Sequence, residues 1–288
     1  SLSSSRQKAK AIIELRQKYN LAILLKCVKM ARSSFYYYAK QGSNDKYDEV
    51  KKKIECIYHK HKGRLGYRRI TILLRQSGLT INHKTVFRLM DSLKLKSLIR
   101  RKKYKSYKGE QGKIAPNVLD RSFKAKRPNQ KWTTDVTEFN VLGKKLYLSP
   151  VLDLYNQEIV SYELSERPDF KSVMNMLGMA LKKVDPGKSL LMHSDQGWQY
   201  QMKQYQSVLK QNRIKQSMSR KGNCLDNAVM ENFFGTLKSE LFYLKDYESI
   251  FQLKKEINEY IKYYNYDRIK LNLNGMSPIQ YRAHHYKS

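Results

Sequence analysis

The first 115 residues carry 30 Lys and Arg against 7 Asp and Glu, a surplus of 23 positive charges, whereas residues 116–288 carry 27 against 18. This asymmetry constrains the fold more than any single motif. A compact chain with a net charge of +32 repels itself unless a polyanion neutralises it. The front two-fifths therefore reads as a part that meets nucleic acid, and the rear as a more ordinary globular part. An anionic membrane surface is the second candidate partner. Spanning a bilayer is excluded, because no apolar run reaches about 18 residues. The polar, basic start "SLSSSRQKAKAIIEL" shows no secretory signal. Cys27, Cys56 and Cys224 include no CxxC pair, which argues against a structural zinc site and a disulfide scaffold. A cytoplasmic, nucleoid-associated protein is expected.

Along the chain, residues 1–45 read as a helical region and a candidate helix-turn-helix. Ala11, Ile12 and Leu15 lie on one side of the first helix, and Ser33 and Ser34 are placed to cap a helix over "FYYYAK". Residues 46–99 read as a helix-turn-helix DNA-binding domain. Ile70, Leu73 and Leu74 form one stripe, Gly78 a turn, and Val86, Leu89, Met90 and Leu93 the next stripe. Its second helix presents Asn82, His83, Lys84 and Arg88 to a major groove. Residues 100–129 form a basic linker in which Arg100, Arg101, Lys102 and Lys103 can track a phosphate backbone.

From residue 130 the periodicity changes. "KWTTDVTEFNV", "KKLYLSPVLDL" and "EIVSYEL" read as three strands in hairpin succession. Asp169 caps a helix that Pro186 and Gly187 stop, and strands over "SLLMH" and 214–218 alternate with helices. The order β-β-β-α-β-α-β-α gives an α/β core over 130–245: a mixed five-stranded sheet flanked by helices. Residues 246–288 form a C-terminal helical extension.

Three carboxylates stand out. Asp135 sits within the first strand, Asp195 directly follows the strand "LLMH", and Glu231 opens a polar stripe with Asn227, Gly235 and Lys238 on a late helix. Aspartates at carboxyl ends of sheet strands are where α/β active sites collect. Three carboxylates converging on one point repel each other unless cations lie between them. An all-oxygen site suits Mg²⁺, with Mn²⁺ able to substitute. Two such ions can activate an attacking oxygen and stabilise a leaving one at a phosphodiester. Taken singly, each residue also has a plain structural reading: a strand-end turn, a pre-helix turn, a solvated helix glutamate. His193 and Asn227 are candidates to orient the carboxylates, and Arg220 and Lys221 to meet DNA.

The set "WTTDVTEF", "HSDQGWQY" and "KGNCLDNAVMENFFGTLKSE" resembles the catalytic core of bacterial DDE transposases. The likeness is to the OrfB-like part of the insertion-sequence-three family, whose core is similar to retroviral integrases. It extends back through "YRRITILLRQSGLT" and forward to "YNYDRIKLNLNGMSPIQY". The resemblance implies a ribonuclease-H-like fold with Asp135, Asp195 and Glu231 as the catalytic, metal-binding triad, and Lys238 as a contact to DNA ends. It also implies two Mg²⁺ ions, 3′-end cleavage and strand transfer at terminal inverted repeats and target DNA, a homodimer or higher oligomer on DNA, and an upstream OrfA-type part. His59 and His61 lack the cysteine pair of the retroviral zinc domain, so no zinc is expected. Two rival readings stay open: a catalytically silent DNA-binding regulator on the same fold, and a simple metal-dependent nuclease.

Overall fold

The computed structural model describes residues 5–40, 46–98, 115–184, 189–220 and 224–286. Arg100, Arg101, Lys102, Lys103 and Lys221 lie outside these residues, as do Pro186 and Gly187.

Three helices open the chain: α1 (Ser5–Leu15), α2 (Leu21–Cys27) and α3 (Arg32–Lys40). They close over a small core of Ala9, Ile12, Leu25 and Phe35. The buried face of α1 is Ala9 and Ile12, while Ala11 and Leu15 are exposed, because α1 packs chiefly on α3. Ser33 and Ser34 lie inside α3 instead of capping it. A second trihelical unit follows, α4 (Asp48–Lys60), α5 (Tyr67–Gln76) and α6 (His83–Ser92), around Ile54, Leu65, Ile70, Leu74 and Val86.

The sheet is built from β1 (Lys131–Thr134), β2 (Thr137–Val141), β3 (Lys144–Asp153), β4 (Ile159–Ser165), β5 (Leu190–Ser194) and β6 (Ile214–Met218). The single strand expected across "KWTTDVTEFNV" is thus two. Yet β1 and β2 hold one register against β3: Thr134 faces Val151 and Thr137 faces Leu148. It is one strand whose ladder lapses at Asp135 and Val136, which explains six segments where five strands were expected. β4 pairs with β3 on its other side, β1 runs antiparallel to β3, and β5 joins β1 in parallel, followed by β6.

Helices cover both faces. Helix α7 (Phe170–Leu181), capped by Asp169, packs on one face with α8 (Trp198–Gln201) and α9 (Lys203–Gln211). Their core includes Trp132, Met176, Leu177, Tyr200 and Tyr205. On the other face lie α10 (Ala228–Glu240) and α11 (Ile250–Tyr266), through Phe233, Phe234, Leu237, Leu253 and Ile257. The chain ends in α12 (Pro278–His285), begun by a capping box between Ser277 and Gln280. Parallel central strands with antiparallel neighbours and helices on both faces make this a ribonuclease-H-like fold. Leu119, within the stretch read as a linker, is buried against the α10–α11 face.

The α4–α6 unit is seated on the C-terminal helices by polar contacts. Arg64 Nε donates to the Glu240 carbonyl at 3.1 Å, and Gln76 Nε2 to the Gly275 carbonyl at 3.2 Å. Beneath them, Arg268 grips the buried Glu240 carboxylate with Nε and Nη2 at 2.8 and 2.7 Å, and Tyr260 adds its hydroxyl at 2.9 Å.

Candidate active site

β1 and β5 are parallel neighbours whose last pair is Thr134 with Ser194. The next residue on each strand is Asp135 and Asp195. Sheet pairing alone therefore sets the two aspartates side by side at the carboxyl edge of the sheet. Glu231 comes from the first turn of α10, which crosses the face beside β1.

Both aspartates sit in a low-dielectric setting. Burial pushes the Asp135 carboxyl well above the usual range, and the charges of Asp195 and, more weakly, Glu231 push it further. Burial likewise raises Asp195 and Glu231. The carboxylates are aimed by neutral donors. Asn227 Nδ2 donates to Asp135 Oδ2 at 3.1 Å and is itself fixed by Thr133 Oγ1, which donates to Asn227 Oδ1 at 2.8 Å. The Val136 amide donates to Asp135 Oδ1 at 2.7 Å. The Gly197 amide donates to Asp195 Oδ1 at 2.9 Å. A Cβ at Gly197 would lie 2.6 Å from Gln199 Nε2 and 2.9 Å from that same oxygen, so glycine permits both close approaches.

Two half-buried carboxylates side by side on neighbouring strands, with oxygen as the only donor type, fit a hard divalent cation. Among the described residues, no three His, Cys, Asp or Glu side chains converge at ligand distance. Of the two other carboxylates, Asp195 acts on Asp135 more strongly than Glu231 does. Lys238, two turns along α10, is half-buried with Nζ 5.2 Å from the Phe139 ring centre. Burial lowers its pKa, while Glu138 and Asp135 draw it back up.

The other expected residues divide. His193 faces β6, and both its nitrogens are taken. Ser217 Oγ accepts the Val118 and Leu119 amides, so its proton is left for His193 Nδ1 at 2.9 Å. That assigns the ring proton to Nε2, which reaches Ser219 Oγ at 3.1 Å. Burial pushes the ring down to about 4, against an opposing pull from Asp226. His193 is thus a neutral cross-link between β5 and the end of β6, its donor spent on Ser219. Arg220 is drawn into Asp226, with Nε and Nη2 at 2.9 and 3.0 Å. In α6, Asn82 caps the helix by accepting the Lys84 amide, His83 stacks on Tyr67, and Lys84 and Arg88 are exposed. Trp132 is core and Trp198 is half-exposed. Asp153, at the opposite end of β1 from Asp135, is a turn-former that accepts the Asn129 and Tyr155 amides.

Sequence reasoning missed Asp226. This buried carboxylate gathers Arg220, Arg121 and Asn117, and its pKa is held well below the usual range, chiefly by Arg220. It pins residues 117–121 and 220 to the 3₁₀ turn that leads into α10. Its only sequence signal is its place one residue before Asn227. Phe87, 56% exposed among the cations of α6, was also missed.

Integrase core domain profiles match residues 125–224 and 231–286, and an HTH-like domain profile matches 46–103. The putative transposase InsK for insertion sequence element IS150, from Escherichia coli K12, is 58% identical over 278 residues, covering 96% of this chain and 98% of the relative. The transposase InsF for insertion sequence IS3A, from the same organism, is 30% identical, covering 91% and 94%. The magnesium-bound catalytic core domain of HTLV-2 integrase aligns with 55% of this chain and 98% of its own length, at 19% identity and a TM-score of 0.40. Identity at this level across nearly the whole of both chains, over a helix-turn-helix unit and an integrase-type core, shows that this chain belongs to the IS3 family of DDE transposases.

Proposed function

We propose that this transposase cleaves and joins DNA with Asp135, Asp195 and Glu231 as its catalytic and metal-holding residues. The observation that carries this is the in-register pairing of Thr134 with Ser194, which delivers two half-buried aspartates to one edge of the sheet. The three carboxylates would hold Mg²⁺, or Mn²⁺ in its place, as two ions. When bound, these would supply activation of the attacking oxygen and stabilisation of the leaving one. The protein's own share is preorganisation. Thr133 fixes Asn227, Asn227 and Val136 fix the two oxygens of Asp135, and Gly197 fixes Asp195. Water, and then a DNA 3′-hydroxyl, attacks phosphodiesters in line. Lys238 lies where its charge can meet a scissile phosphate, and Lys84 and Arg88 of α6 face terminal-repeat DNA.

Two ends must be held for one joining event, so the working form on DNA is a homodimer or larger, acting on terminal inverted repeats and a target duplex. The place of action follows the substrate: the cytoplasm, at the nucleoid. Among the described residues, no helix is long and apolar enough to cross a membrane. A pair of adjacent half-buried aspartates costs stability that a silent regulator has no reason to keep, and the helix-turn-helix unit favours end-specific joining over simple cutting.

The test is a strand-transfer assay with labelled terminal-repeat duplex and Mg²⁺, comparing the chain with Glu231→Gln. Joined products that vanish in the variant, with end binding retained, are the expected outcome. Equal joining by both proteins would remove Glu231 from the reaction. Cuts without joining by the unaltered chain would favour the nuclease.

A further inference from the structure

The matched family profiles begin at residue 46 and leave the first trihelical unit without a role. Its second helix ends in the same bonds as α5, a left-handed terminus that also closes α4 and α6, so the likeness between the two units rests chiefly on the exposure pattern of the helix that follows. At the end of α2, Val28, Lys29 and Met30 donate their amides to Leu24, Lys26 and Leu25, at 3.2, 3.3 and 3.0 Å. At the end of α5, Ser77, Gly78 and Leu79 donate to Leu73, Arg75 and Leu74, at 3.1, 3.0 and 3.1 Å. The middle residue is left-handed in both, with φ of 49° at Lys29 and 88° at Gly78. Leu25 and Leu74 are the buried anchors of the two turns.

The helices that follow repeat the exposure pattern. The first two positions are exposed: Arg32 and Ser33 in α3, His83 and Lys84 in α6. The fourth is buried: Phe35 and Val86. The fifth and sixth are exposed again: Tyr36 and Tyr37, against Phe87 and Arg88. The first 40 residues carry 9 Lys and Arg against the single acid Glu14. Small helical units with a basic surface and a short turn dock their last helix in a major groove.

We propose that α1–α3 is a second DNA-binding helix-turn-helix, with α3 entering a major groove and Arg32, Ser33, Tyr36 and Tyr37 facing the duplex. The two tyrosines carry ring faces suited to thymine methyl groups and hydroxyls suited to phosphate oxygens. At most about 22 Å of extended chain joins Lys40 to Lys46, so the two units read neighbouring segments of one duplex. The transposon end is then recognised in two parts, α3 reading one and α6 the other. This rests on the reading of the chain as a protein that holds its element's ends.

Hydroxyl-radical footprinting of the full chain on a terminal-repeat duplex tests it. The unaltered chain is expected to protect two adjacent segments. Tyr36→Ala with Tyr37→Ala, both at exposed positions, should erase one segment and weaken binding at least tenfold. Lys84→Ala with Arg88→Ala should erase the other. Survival of the segment assigned to α6 shows that the α3 variant is folded. A footprint and affinity within twofold of the unaltered chain in the α3 variant would overturn the proposal, and a lower sedimentation mass in that variant would assign the face to contacts between copies instead. Loss of the α6 segment alone, with no second segment ever seen, would sink this inference and leave the transposase reading intact. No protection by the unaltered chain would sink both.

Discussion

Replacing Glu240 by Gln should destabilise the protein more than any change on its surface. The Glu240 carboxylate is 1% exposed and accepts from Arg268 twice, at 2.7 and 2.8 Å, and from Tyr260 at 2.9 Å, with Arg69 3.8 Å away. Burial pushes its pKa up, but the Arg268 hydrogen bonds and charge outweigh burial and hold it below the usual range. Gln keeps the shape and removes the charge, leaving Arg268, only 5% exposed, without its counter-ion. An uncompensated buried cation costs about 3–5 kcal/mol. For a core of this size, each kcal/mol moves the midpoint by roughly 2–4 °C, so the melting transition should fall by about 10 °C. Pairing Glu240→Leu with Arg268→Met removes both charges and refills the volume, and should lose much less than Glu240→Leu alone. Circular dichroism melts of the four proteins decide it. A Glu240→Gln midpoint within about 2 °C of the unaltered chain, or a double variant worse than the single, would refute the reasoning.

Asp153 is buried and its pKa is pushed up to about 6, so the folded state takes up a proton that the unfolded state releases above about 4. Stability from this group is full below about pH 4 and lost as pH rises through 6, a swing of about 3 kcal/mol; urea titrations at pH 4.5 and 7 should show that slope flattened in Asp153→Asn. Asp226 has the opposite sign: its lowered pKa means its support is present above about pH 4 and lost on acidification. Asp226→Ala should cost about 3 kcal/mol and expose the chain near Arg121 and Arg220 to limited trypsin digestion, and an unchanged digest would contradict the hub role. Gly197→Ala forces its Cβ against Asp195 Oδ1 and the Gln199 side chain and should slow joining by about 100-fold with a melting midpoint within 3 °C; full activity would mean that the crowding is relieved at Gln199 and does not move Asp195. Lys238→Met keeps the stem over Phe139 and should weaken end joining at least tenfold without lowering the melting midpoint, and unchanged joining would free Lys238 from the reaction.

Alternation and turn residues made most of the core readable. β3, β5 and β6 follow the apolar patterning, Asp169 caps where a cap was expected, and Gly78 turns the chain between α5 and α6. The lapse at Asp135 was not readable, because threonine and valine on either side favour a continuous strand and the register indeed continues across it. Helix α1 chose Ala9 over Leu15 because the partner helix α3, not the local pattern, decides which face is buried. The carboxylates were legible as positions, but their aim was not. Asn227 on Asp135 depends on a contact 92 residues apart in sequence, and Asp226 on arginines whose only local mark is charge. His193 beside Asp195 looked like its helper, yet strand alternation turns it to Ser217.

Neighbouring parallel strands are spaced by hydrogen bonds, about 4.8 Å apart, whatever side chains they carry. Asp135 and Asp195 each stand one step beyond a paired residue, so the distance between their backbones is a property of the peptide group and not of the surrounding sequence. Drift in the core can change how often the protein is folded without changing that distance. A relative at 30% identity can therefore keep the same gauge between these two positions. The spacing of the two carboxylates is thus set by the backbone ladder, and the side chains have only to be aspartate.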